Sequence, residues 1–133
     1  CYSPMACWRF WTYVSPLGRS AMADWYVGLE IQQQADLDSH LRNWRNERRW
    51  NHVEFKLLGE GLFEFKFKSC GTQLRLVGFF WPPKDPNQLF GNFTILIGCS
   101  HKQRVYKPAN ALETSAKRMS EIKRGIGGQR GYP

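Results

Sequence analysis

The residues best suited to chemistry fall in two short stretches in the second half of the chain. In Leu62–Lys68 (LFEFKFK), Phe63, Phe65 and Phe67 alternate with Glu64, Lys66 and Lys68, and Arg75 sits between two leucines in Thr72–Trp81 (TQLRLVGFFW). Such alternation places Lys66 and Lys68 on one face of a strand and the phenylalanines on the other. If Cys70-Gly71 closes a hairpin, Lys66 stands opposite Arg75, Lys68 opposite Gln73 and Glu64 opposite Val77. Three cations then share one exposed face, which an anion would stabilise; a one-residue slip would turn Arg75 toward the core. Phosphate contacts from such a face position a nucleic acid without reading its sequence. The plainer alternative is a solvated sheet face partly neutralised by Glu64.

The second stretch, Ser100–Pro108 (SHKQRVYKP), gathers His101, Lys102, Arg104, Tyr106 and Lys107. RNA cleavage without metal needs a base for the 2′-hydroxyl, cations for the phosphorane charge and an acid for the leaving 5′-oxygen. His101 or Tyr106 could move protons, while Arg75, Lys102 and Arg104 could hold charge. Tyr106 could also stack on an unstacked base. Against this, a single His is often a bystander, and Tyr106 could simply anchor a helix start. No Walker loop or H-E-x-x-H is present, and Gly59-Glu60-Gly61 reads as a turn. Cys1, Cys7, Cys70 and Cys99 have neither C-x-x-C spacing nor a His at ligand spacing. They read as buried or free thiols, and neither metal nor cofactor is expected.

Charge distribution points the same way. Residues from Lys66 onward hold twelve Lys or Arg against three Asp or Glu (+9), whereas residues 1–65 hold seven against eight (−1). A basic half joined to a neutral half is the footprint of a polyanion binder, although a solvated basic surface has the same composition. The 133 residues suffice for one domain. The longest uncharged apolar run, Leu76–Pro83, is too short to cross a bilayer, and no leader pattern is read. The expectation is a cytoplasmic protein without membrane contact, with Met5-Ala6 as the natural start.

These side chains need elements to position them. Trp8–Val14 is aromatic and β-branched, a strand. Arg19–Glu30 carries Met22, Trp25, Tyr26 and Leu29 at helical spacing, and Ile31–Trp44 continues with Ala35, Leu37, Leu41 and Trp44. They predict a helical hairpin, or one bent helix. Two strands of the hairpin follow, then a loop at Pro82–Asn92 and a strand at Phe93–Cys99 that is apolar on both faces. Pro108 opens a helix to Lys123 with a stripe of Ala109, Leu112, Ala116, Met119 and Ile122. The order β-α-α-β-β-β-α predicts an α+β fold, a mostly antiparallel sheet backed by helices, over residues 1–124. The glycine-rich stretch 125–133 predicts a mobile tail.

In this order the pieces form a recognisable series. Lys56-Leu57-Leu58, Leu62-Phe63-Glu64-Phe65-Lys66, Leu74-Arg75-Leu76, Phe93–Ile97, His101-Lys102, and Pro108 through Ala116, Arg118 and Glu121 together resemble the RelE/ParE toxin superfamily. The likeness is greatest to its HigB-like, phage-associated branch. The resemblance implies a RelE-like fold and a toxin of a type II toxin–antitoxin system, cleaving messenger RNA on the ribosome without metal. It implies a cognate antitoxin, of helix-turn-helix type, as partner. By position it assigns RNA binding to Lys66 and Lys68, and the scissile phosphate to Arg75; Lys107 and Arg118 are further candidates for RNA binding. His101, Lys102, Arg104 and Tyr106 take the late-chain catalytic roles. ParE-like relatives act on DNA gyrase instead, and a non-catalytic basic RNA-binding module is a further alternative. Gly127-Gly128-Gln129 repeats the tripeptide of peptide-release factors, without their flanking pattern.

Overall fold

The computed structural model describes residues 8–88 and 90–131; the expectations for Cys1, Met5 and Cys7, and for the last two residues of the tail, lie outside them. The chain runs β1 (Arg9–Val14), α1 (Ala21–Val27), α2 (Ile31–Asn46), β2 (Phe55–Gly59), β3 (Leu62–Ser69), β4 (Thr72–Phe79), β5 (Asn92–Lys102), β6 (Val105–Lys107), α3 (Ala111–Lys123) and β7 (Gly128–Gly131). It is a mixed α+β architecture around one seven-stranded sheet of order β2-β3-β4-β5-β1-β7, with β6 paired to the far half of β5. All pairings are antiparallel except β1 with β5.

Three strands go beyond the expected order. The segment Phe55–Gly59 alternates too weakly to read as a strand, yet it pairs with β3 through the two-residue turn Glu60-Gly61, both with positive φ. β6 arises because Gln103 and Arg104 turn the chain straight back on β5. Residues 128–131 of the expected mobile tail instead form β7 along β1. Glycines have little to bury, but their backbone groups satisfy an edge that would otherwise present unpaired N–H and C=O groups.

Both sheet faces are covered, and strand alternation sorts the side chains between them. On one side α1 and α2 pack Met22, Leu37, Leu41 and Trp44 against Phe10, Phe65, Phe67, Leu74, Leu76, Phe93 and Ile95. The hairpin reading holds: α1 ends at Gly28, and α2 begins afresh after Glu30, whose N–H donates to Gln33 Oε1 at 3.0 Å. Trp44 is buried with its ring centroid 4.4 Å from that of Phe65, so the predicted stripe lands where expected except for exposed Ala35. On the other side α3 covers Tyr13, Val77, Phe79, Ile97 and Cys99.

The α3 stripe differs from the expected one. The helix begins at Ala111, and it buries Ala111, Ser115 and Ile122, leaving Ala109, Leu112 and Ala116 exposed. The cause is Arg118, whose Nη1 donates to the Leu96 carbonyl at 2.8 Å while its guanidinium lies 5.0 Å from the Tyr13 ring centroid. That tether turns the 111/115/118/122 face to the sheet.

Helix α1 approaches β5 closely because position 98 has no side chain. A Cβ on Gly98 would stand 2.2 Å from the Trp25 ring. Gly98→Ala is therefore expected to lower stability by about 1–3 kcal/mol through overpacking. A urea midpoint equal to that of the parent chain would contradict this packing.

Candidate nucleic-acid interface

Strand register builds the site. The turn Cys70-Gly71 has φ of 54° and 75°, as a two-residue hairpin of the type that matches strand twist requires. It fixes Lys66 opposite Arg75 and Lys68 opposite Gln73, the register read from the sequence. β5 continues each row, with Cys99 beside Arg75 and His101 beside Gln73, and β6 adds Tyr106 opposite His101. A neighbouring row carries Lys56, Glu64, Val77 and Ile97. Opposed residues share a face, so Lys56, Glu64, Lys66, Lys68, Arg75, Cys99, His101 and Tyr106 all lie on the side that α3 partly covers.

Arg75 is not the free cation expected. Its side chain is 9% exposed and is ion-paired through Nη1 to Glu64, which is fully buried. Glu64 also accepts a hydrogen bond from Tyr106 Oη at 2.7 Å and lies 3.5 Å from Lys56 Nζ. The reason is diagonal reach: Glu64 and Arg75 are offset by two residues across the hairpin, a separation that long side chains span. Among the described residues Arg75 Nε has no hydrogen-bond partner.

Arg75 Nη2 lies 3.2 Å from His101 Nδ1. Guanidinium only donates, so Nδ1 accepts and the imidazole proton sits on Nε2. Burial and the Arg75 charge hold the His101 pKa below its ordinary value, which keeps the ring neutral. Its ring meets that of Tyr106 edge to face at 4.7 Å. Burial, the bond to Glu64 and its charge raise the Tyr106 pKa, so the phenol keeps its proton. Burial and Glu64 push the Cys99 thiol up to about 12, which removes it as a nucleophile. The cluster therefore presents donors and cations, Lys66 and Lys68 outermost, around one saturated carboxylate. This is chemistry for holding an anion.

Other candidates fall elsewhere. Alternation puts Lys102 and Lys107, both exposed, on the opposite sheet face. Arg104 is exposed in the turn between β5 and β6, with φ of 66°. Arg118 is occupied in fastening α3. Sequence reasoning had Glu64 on this face only as a partial neutraliser, and missed both its burial against Arg75 and the approach of Lys56. Among the described residues no group of three or more His, Cys, Asp or Glu is placed to hold a metal ion, and no helix is long and apolar enough to cross a membrane. In comparison with known proteins, no family model matches the chain, and no curated protein or solved structure matches it.

Two outcomes follow from the buried pair. Glu64→Ala leaves the Arg75 charge uncompensated and is expected to cost about 3–5 kcal/mol, whereas Glu64→Leu combined with Arg75→Met should cost much less. Equal destabilisation of both variants, read by urea denaturation, would contradict the pairing. For His101, a folded-state pKa below the ordinary 6.5 means that the unfolded chain binds more protons between the two values. Its contribution to stability is present above 6.5 and declines as pH falls through that window. His101→Gln should remove this slope, and an NMR titration of the His101 ring should give a midpoint below 6.5; a midpoint at or above it would refute the arrangement.

Proposed function

We propose that this chain is a RelE/HigB-like toxin that grips single-stranded RNA across the β3–β6 face and cleaves ribosome-bound message without metal. The carrying observation is that Lys66, Lys68, Arg75, His101 and Tyr106, drawn from segments up to 40 residues apart in sequence, meet in two adjacent rows of one sheet face. A mixed α+β architecture with two helices ahead of the β3–β4 hairpin supports this reading, while β2, β6 and β7 depart from the expected order.

An RNA phosphate arriving at Lys66 and Lys68 competes with Glu64 for the Arg75 guanidinium. Arg75 then faces the charge that develops on the phosphoryl oxygens, and His101 Nε2–H is a donor beside it. The Glu64 oxygen so released is the acceptor nearest to hand for the 2′-hydroxyl proton; as the 2′-oxygen bonds to phosphorus the bond to the 5′-oxygen breaks, leaving a 2′,3′-cyclic phosphate, and the 5′-oxygen takes its proton from solvent. A cytoplasmic setting and a helix-turn-helix antitoxin partner belong to the same reading.

A second reading has its own support. Glu64 already pairs with Arg75 and accepts from Tyr106, and His101 Nδ1 is occupied, which is the arrangement of a non-catalytic RNA-binding module. The two readings separate on cleavage. Expression without a partner protein should arrest translation and leave cut message on ribosomes, and Arg75→Ala that keeps its circular dichroism should abolish the cuts. Intact message beside undiminished RNA binding would select the binding module. In either case Lys66→Ala with Lys68→Ala should reduce the slope of log affinity against log salt by about 0.7 for each phosphate that is no longer neutralised. An unchanged slope would remove RNA from this face.

A further inference from the structure

A groove of about 420 Å³ opens beyond the other end of β4, between the Pro82–Asn92 loop and the segment after α2. Its walls are aromatic. Trp8 lies 5.7 Å from Phe80 and 6.1 Å from Phe90, nearly parallel to the latter at 29°. Trp50 backs Trp8 at 4.4 Å, and itself packs on Phe65 at 4.7 Å, so the floor is fixed by the core. Gly91 lets the loop close on Trp8, since a Cβ there would stand 3.0 Å from the ring. Phe80 is nevertheless 41% exposed, although its ring also packs on Trp50, Phe63 and Phe93.

The rim is cationic. Arg48, Arg49 and Lys84 line the groove, all three are solvent-accessible, and none pairs with a carboxylate among the described residues. The Trp8 indole N–H is buried and without a hydrogen-bond partner among the described residues.

We propose that this groove binds one unpaired nucleotide, with its base against Trp8, Phe80 and Phe90 and its phosphate at Arg48, Arg49 and Lys84. Every base offers a flat π-face to such rings. An acidic peptide would use the cations but leave the aromatic rings without a reason. Arginines beside aromatic faces add cation–π attraction for the same guest. None of these residues belongs to the Arg75 cluster, so the inference stands apart from the toxin reading.

The test titrates the whole chain with adenosine 5′-monophosphate and with ribose 5-phosphate, following tryptophan fluorescence. The nucleotide should quench it, with affinity falling about tenfold in Phe90→Leu, which keeps apolar bulk but removes a flat face. Arg48→Ala with Arg49→Ala should weaken binding similarly and flatten its salt dependence. Ribose 5-phosphate should bind far more weakly than the nucleotide. Absence of quenching, equal affinity for the two ligands, or indifference to both variants would overturn the site.

Discussion

The buried contact between Glu64 and Arg75 organises one end of the molecule. It crosses from β3 to β4, and through His101 and Tyr106 it reaches β5 and β6. A charge pair this deep has a large desolvation cost, which is offset only while both partners stay and their remaining hydrogen-bonding capacity is used. Glu64 meets that condition, with Tyr106 and Lys56 beside its second partner. Arg75 does not, since its Nε is left without a partner among the described residues. The pair thus leaves the Nε donor of Arg75 unused, set among lysines whose mutual repulsion an incoming anion would relieve.

The two faces of the sheet divide the labour. On the α1/α2 face, rings from β1, β3 and β5 interlock with Trp44 and Trp50, and this face supplies most of the apolar burial. The α3 face carries a smaller core and gives way to the polar rows where α3 ends. β5 serves both, because it is buried along its first eight residues and emerges only at Ser100 to become part of the site. Tying α3 down by Arg118 and by Tyr13, whose hydroxyl donates to Glu121 at 2.6 Å, keeps that boundary in place.

Much of the hairpin was legible in the sequence for a physical reason. Three phenylalanines at period two, an arginine between leucines and a Cys-Gly turn admit one register in which every apolar side chain reaches the core, and that is the register found. What alternation cannot say is how exposed a polar face will be. It assigned Arg75 to the correct face but not to a buried pair, because that depends on Glu64 lying diagonally across and on β6 folding back to bring Tyr106. The α3 stripe was misplaced because Ala109, Leu112 and Ala116 form an apolar row, while the side chain that orients the helix is a cation. β7 was not foreseen because edge pairing uses backbone groups, to which composition is blind.

The most direct test follows the Arg75 guanidinium and His101 ring resonances while single-stranded RNA is added. If the rows of Lys66 and Lys68 are the contact, both signals shift together as phosphate displaces Glu64 from Arg75, and the Arg118 guanidinium stays in place. RNA bound with the Arg75 and His101 signals unmoved would contradict it.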